Sequence, residues 1–342
     1  MKTTFASDNY SSVHPAVMEA LQKVNTGHQI SYGDDEYTAQ AVKLFKKTFG
    51  EDISVLFLTN GTASNVLALK LLLTKPYEAV IVAGTSHTFN DETGVIQSVL
   101  GAQLFPIQTP DGKLTIEMLK KEYQRRSPHN PHSAAPKVVS IAQLTEYGTL
   151  YSEQEIAAIA KWCHDHDLYL HMDGSRLANA AVALGTDLRE ASRDLGVDIL
   201  SFGGAKNGLM NAEALVIFDA PTSSLAHMQK QVMQLTSKMR YVSAQFIPYL
   251  EDGIWQKNAE HANKLARLLA EGLKPVQSVK VTQAVQANHV FVSMPKALQQ
   301  KLHQAGHHFY SWDETIDEVR LVTAWDNSEA DVRTFLADVK HS

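Results

Sequence analysis

The chain has 342 residues, 44% hydrophobic and 20% charged, the balance of an ordinary globular protein rather than a disordered or fibrous one. A net charge of -6 provides no basic stripe for nucleic acid, and the longest aliphatic stretch, residues 66–73, is far too short to span a membrane. One cysteine, Cys163, excludes an intramolecular disulfide framework, and residues 1–8 lack the apolar core of a signal peptide, so the expected compartment is the cytoplasm.

A length above the usual single-core size predicts a large unit, residues 1–245, followed by a small one, 246–342. From about residue 55 to residue 218, short β-rich apolar runs alternate with helical patterns, which predicts an α/β unit with a mostly parallel sheet. Strands are predicted at 55–58, 79–83, 138–142, 168–172, 198–202 and 214–218. Helices are predicted at 63–73, at 153–166, where Ser152 and Glu155 have capping-box spacing, and at 187–195. Helical patterns follow at 223–239 and at 254–273, with Gly272 as a candidate stop. A strand at 289–294, a helix at 296–305 ended by Gly306, and strand-like runs at 308–312 and 319–324 predict a small α+β unit. The segments 106–113 and 125–136 read as surface connections.

In open α/β sheets ligands gather at the carboxyl ends of the strands, so the residues after each predicted strand carry the functional information. After 55–58 comes Thr59-Asn60-Gly61-Thr62-Ala63-Ser64-Asn65, a strand-to-helix turn whose free amides suit a phosphate group. Gly61 permits close approach and the Thr62 hydroxyl can add a bond, although a plain capped turn has the same residues. After 79–83, His87 is placed to lie over the face of a bound aromatic ring; a lone histidine there is also a common structural residue. After 168–172 comes Asp173, whose carboxylate would keep a pyridine nitrogen protonated, or else cap a helix or pair with Arg176. After 198–202 comes Gly203-Gly204-Ala205-Lys206-Asn207-Gly208, an amine at a strand end with glycines clearing space beside it, as a Schiff-base lysine requires. Four such sites on four strand ends together imply pyridoxal 5'-phosphate.

These residues, with Ser7-Asp8-Asn9, Tyr32-Gly33-Asp34-Asp35, Asp173-Gly174-Ser175-Arg176 and Arg320-Leu321-Val322-Thr323, resemble the fold-type-I pyridoxal-phosphate enzymes. Within them the resemblance is to the low-specificity L-threonine aldolases of the β-eliminating lyase group. It implies retro-aldol cleavage of L-threonine, L-allo-threonine and related β-hydroxy-α-amino acids to glycine and an aldehyde. It also implies that Lys206 forms the Schiff base, Asp173 holds the pyridine nitrogen, His87 stacks on the ring, and Gly61 and Thr62 take the phosphate. Ser7, Arg176 and Arg320 would grip the substrate carboxylate. Arg240 resembles a residue that reaches the phosphate across a subunit boundary, which implies a homotetramer or homodimer.

Two departures from the family pattern stand out. The lysine lies in Lys206-Asn207-Gly208 rather than a Ser-Lys-Gly-like run, and Gln143-Leu144-Thr145-Glu146 stands where the pattern has Glu-Asn-Thr-His. The histidine often assigned as base is therefore missing, which leaves His87 as the favoured group to take the β-hydroxyl proton and Glu146 or an ordered water as the alternatives. Rival reactions on the same residues are β-elimination, transamination and racemisation, and a rival of another class is a non-catalytic regulator. Cys163-His164-Asp165-His166 and the histidines at 303, 307 and 308 lack structural zinc spacing, so no metal is expected. Trp255, Trp312 and Trp325 read as core or interface anchors.

Overall fold

The computed structural model describes residues 4–126 and 130–341. Strands β1 (Ser54–Leu58), β2 (Glu78–Ala83), β3 (Gln103–Ile107), β4 (Ala135–Ala142), β5 (Tyr169–Gly174), β6 (Ile199–Gly203) and β7 (Glu213–Ile217) form one sheet in the order β1-β7-β6-β5-β4-β2-β3. Strands β3, β2, β4, β5 and β6 are mutually parallel, and β7 runs against both β6 and β1. The carboxyl ends of β1, β2, β4, β5 and β6 therefore share one edge of the sheet.

Successive residues of a strand point to opposite faces, and here both faces are covered. Ala79 and Ile81 join a core with Phe45, Phe202 and Phe246, whereas Val80 and Val82 join a second core with Leu67 and Leu69 of the helix Gly61–Leu72. Each buried aliphatic side chain contributes about 1.5–3 kcal/mol, so the two cores together outweigh any single polar contact in holding the sheet.

Strands β8 (Lys280–Val281), β9 (His289–Ser293), β10 (Tyr310–Asp313) and β11 (Glu318–Val322) form a separate antiparallel sheet in the order β10-β11-β9-β8. The helices Ile254–Leu273, Lys296–Gln304 and Glu329–His341 supply its apolar cover through Leu265, Leu269, Leu302 and Phe335. Phe5 belongs to the same core, with its amide donating to the His308 carbonyl and its carbonyl accepting from Val322.

The six predicted strands of the large sheet are present, as are the helices near 63–73, 153–166, 254–273 and 296–305. The capping box at Ser152 and Glu155 closes in both directions. Other elements differ from expectation. β3 occupies part of the supposed connection 106–113: the Ile107 carbonyl accepts the Gly84 amide, so the neighbouring Pro106 turns its nitrogen, which has no hydrogen to donate, toward the open edge of the sheet. Residues 187–195 hold a single 3₁₀ turn, Arg193–Leu195, because Ser192 leaves the helical region and its hydroxyl bonds back to the Leu188 carbonyl. The pattern at 223–239 yields only the helix Leu225–Gln231; Met233 adopts a left-handed φ of 60°, and the chain turns so that Gln234 Oε1 accepts both the amide and the hydroxyl of Thr59. Gly272 is no stop: it lies inside the helix, where a Cβ would come within 2.2 Å of Leu336. Of the segment 125–136, residues 127–129 lie outside the described residues.

Candidate active site

At the shared strand edge lies a cavity of two lobes, of about 290 Å³ and about 310 Å³. Asn9, His87, Asp173, Ser175 and Lys206 line both lobes and form the divide between them. A larger hollow of about 520 Å³ lies elsewhere, between Lys70, Lys75, Val99 and Met228. Its carboxylate, Glu78, is spent on the Thr74 and Lys75 amides, so the chemistry is assigned to the two-lobed cavity.

Lys206 sits on a 3₁₀ turn immediately after β6, and the close approach of two chains explains the glycine that precedes that turn. A Cβ on Gly203 would lie 2.5 Å from the Ser175 Cα, so any side chain there would push the Lys206 strand end away from the Asp173 loop. Burial and the neighbouring Arg176 guanidinium lower the Lys206 amine below its ordinary value, against the pull of Asp8, Asp173 and Glu213. A fraction of uncharged amine is what attack on a carbonyl requires. Glu213 steadies this turn by accepting the Gly204 amide at 3.0 Å and the Ala205 amide at 3.4 Å; burial pushes its carboxyl up to about 7, against the charge of Lys206.

Asp173, the penultimate residue of β5, accepts the Ser175 amide at 3.0 Å and Asn65 Nδ2 at 2.9 Å. Burial opposes its ionisation, but Lys206, the Asn65 bond and His87 outweigh that penalty and hold the carboxyl below its usual value. The same Asn65 nitrogen donates to Glu92 at 3.0 Å, and Glu92 meets His87 Nδ1 at 2.9 Å. That bond raises the His87 imidazole above its ordinary value, in spite of burial. A single network thus joins the carboxylate, the asparagine, Glu92 and the histidine.

In the lobe toward β1, Gly61 and Thr62 open the helix Gly61–Leu72, Asn60 caps it on the Ala63 amide at 2.8 Å, and a Cβ on Gly61 would meet nothing within 4 Å. Free amides facing open space at a helix start, a half-buried amine and an ionised carboxylate form the set for a group with a phosphate, an aldehyde and a basic ring nitrogen. The residues present fit pyridoxal phosphate.

The other lobe is lined by Ser7, Glu146, Arg176, Trp312 and Arg320. Arg176 pairs with Asp8 through two hydrogen bonds, Nε to Oδ2 at 2.7 Å and Nη2 to Oδ1 at 2.8 Å. Arg320, from β11, lies 4.9 Å above the Trp312 ring, and its buried Nε has no partner among the described residues. Burial and Arg176 lower its guanidinium to about 10. Glu146 accepts the His87 amide at 2.9 Å and the Thr85 hydroxyl at 3.3 Å, and burial pushes its carboxyl up to about 7.

The structure therefore brings together Ser7, Gly61, Thr62, His87, Glu146, Asp173, Arg176, Lys206 and Arg320. Arg240 lines neither lobe; its Nε donates to the Val24 carbonyl and its guanidinium lies over Tyr241. Trp312, expected as a core or interface anchor, is instead a wall of the site, because β10 runs beside β11 and sets the indole beneath Arg320. Glu92 and Glu213 escaped notice in the sequence. The signal for Glu92 was its place one turn past a strand-end histidine, and that for Glu213 was a carboxylate opening an otherwise apolar strand.

With this sheet order and this cavity, the fold is that of the fold-type-I enzymes. Residues 4–296 match the model of the beta-eliminating lyase family, and the chain belongs to that family. It is 38% identical to a low specificity L-threonine aldolase of Pseudomonas sp. (strain NCIMB 10558) over 338 residues, covering 98% of this chain and 96% of that one. A second protein of that description, from Pseudomonas aeruginosa, is also 38% identical, with the same coverage. Among solved structures, a threonine aldolase of Leishmania major superposes with a TM-score of 0.93 at 29% identity, covering 99% of this chain and 98% of that one.

Proposed function

We propose that this chain binds pyridoxal 5'-phosphate and cleaves L-threonine, L-allo-threonine and related β-hydroxy-α-amino acids to glycine and an aldehyde. The observation that carries this reading is the divide of the cavity, where a half-buried amine and an ionised carboxylate stand between a helix start and a pair of arginines. The chemistry supplied when the cofactor is bound is an aldehyde carbon for amines and a ring that accepts electron density from the substrate α-carbon. Lys206 holds the cofactor by its amine, Asp173 keeps a proton on the ring nitrogen, His87 packs against the ring, and Gly61 and Thr62 hold the phosphate.

Arg176, Arg320 and Ser7 take the substrate carboxylate. By fixing it on one side, they fix the torsion about the α-carbon and set the bond to the β-carbon in the breaking orientation. Glu146 accepts the β-hydroxyl proton, because a half-buried carboxyl near 7 can take and return a proton at neutral pH. The pairing of His87 Nδ1 with Glu92 supports giving the imidazole the packing role.

The working unit is a homotetramer or homodimer of the cytoplasm, with Arg240 serving the phosphate of a neighbouring copy. Supporting an assembly, Ile30 is 68% and Met233 83% exposed, and their loops are tied by the Tyr32 amide to the Ser237 carbonyl at 3.0 Å. No helix among the described residues is long and apolar enough to cross a membrane.

The test is product analysis with L-threonine. Wild-type protein should release glycine and acetaldehyde without a keto acid, and Lys206→Ala should lose the bound cofactor's visible band and nearly all turnover. Keto acid as the main product, or full turnover by Lys206→Ala, overturns the assignment.

A further inference from the structure

We propose that Asp8 is a positioning and specificity residue, which occupies one edge of the Arg176 guanidinium and lowers by one the positive charge that the carboxylate lobe presents to substrate. This rests on Arg176 being a ligand of the substrate carboxylate. A planar guanidinium has two edges on which a carboxylate can dock with two bonds, Nε with Nη2 and Nη1 with Nη2. Asp8 fills the first, at 2.7 and 2.8 Å, leaving the end-on edge for an incoming carboxylate.

The clamp is built rather than incidental. Asp8 is 1% exposed, and its Oδ2 also accepts Asn288 Nδ2 at 3.1 Å. The same asparagine nitrogen donates to the Thr323 carbonyl at 3.0 Å, which ties Asp8 to the segment just after β11. On the other side Asp8 opens the 3₁₀ turn Asp8–Tyr10, which Ser7 caps through the Asn9 amide at 3.2 Å. Ser7, Asp8 and Arg176 are thereby held as one unit.

Charge counting gives the consequence. Without Asp8 neither guanidinium of the lobe, Arg176 or Arg320, would have a carboxylate bonded to it among the described residues, and the pair would favour a dianion. With Asp8 in place Arg176 is paired, Arg320 is the guanidinium to which no carboxylate is bonded among the described residues, and the match is to the single carboxylate of an amino acid. Arg320 Nε is buried and has no acceptor among the described residues. Asp8 thus selects against dicarboxylates and multivalent anions while aiming Arg176.

The experiment compares Asp8→Asn with wild-type holoenzyme in three measurements: KM and kcat for L-threonine, inhibition by malonate, and the cofactor dissociation constant from fluorescence titration of the apoprotein. Asp8→Asn should raise KM at least about tenfold with a much smaller change in kcat, bind malonate more tightly than wild type, and keep its cofactor affinity. An unchanged KM, malonate binding no tighter than in wild type, or cofactor affinity lost in step with threonine would each overturn the role of Asp8. Arg176→Ala separates the two layers: a normal KM in that variant overturns the carboxylate assignment itself and Asp8 with it, whereas a raised KM there beside a normal one in Asp8→Asn overturns Asp8 alone. Should Asp8→Asn not fold, Asn288→Ala loosens Asp8 from its other partner and should move KM and malonate binding in the same directions by smaller factors; no movement in either overturns the role.

Discussion

Replacing Glu146 with glutamine should make the protein more stable and less active, and the stability gain should depend on pH. Burial raises the Glu146 carboxyl from 4.5 to about 7. A carboxyl whose folded value lies above its unfolded one favours folding at low pH, and that contribution is lost as pH rises through the folded value. Wild-type protein is therefore penalised progressively between about pH 4.5 and about pH 7, and glutamine, which never ionises, is not. At about 1.4 kcal/mol per pH unit, the gap between variant and wild type widens from about 1 kcal/mol near pH 5 to at most about 3 kcal/mol near pH 8. Glutamine keeps a carbonyl to accept the His87 amide, so the packing of the loop survives. Turnover should fall on the order of 100-fold, the loss typical of removing a general base, and its rise with pH near neutrality should flatten. The assay is the urea midpoint of apoprotein at fixed protein concentration across that pH range, paired with threonine cleavage. A stability gap that does not change with pH, or cleavage at the wild-type rate, would refute the assignment.

Arg320→Ala should raise KM for threonine roughly 10- to 100-fold, the worth of a charge-assisted bond in a buried site, and should also slow cleavage through loss of torsional control; steady-state kinetics showing an unchanged KM would move the carboxylate elsewhere. Glu92→Gln removes the negative charge from the bond that raises His87, so the imidazole should titrate at lower pH, visible as a downfield-proton NMR shift or a displaced limb in the pH profile of cofactor binding. No displacement would mean that Glu92 does not control the histidine. Gly272→Ala places a methyl against Leu336 in a packed helix contact and should cost about 1–3 kcal/mol, read as a lower thermal midpoint without change in KM.

The strand-end residues were legible because a parallel sheet with crossover helices has a fixed polarity: once the runs at 55–58, 79–83, 168–172 and 198–202 are strands, Gly61, His87, Asp173 and Lys206 must share an edge. Periodicity failed where tertiary contacts decided the backbone. The apolar pattern at 223–239 continues past Gln231, but the chain leaves the helix at Met233 so that Gln234 can buttress Thr59, a demand made from 175 residues away. β3 was hidden by Pro106, which only an edge position tolerates, and nothing local announces an edge. The place of Trp312 in the site and the clamp on Arg176 were illegible for a related reason. Each acts through partners distant in sequence, and spacing carries no record of which side chains a fold will bring face to face.

The packing of Phe5 against Phe335, ring centroids 5.4 Å apart, bears on how the protein is made. Residues 4–8 are anchored by β11 and by the helix Glu329–His341, yet they carry Ser7 and Asp8 into the carboxylate corner. During translation the large sheet, with Lys206 and Asp173, has every strand it needs some hundred residues before that anchor leaves the ribosome. A nascent chain can thus present its reactive amine well before it can hold an amino acid in the orientation for cleavage, and competence arrives only when residues 4–8 dock on β11 and the helix Glu329–His341.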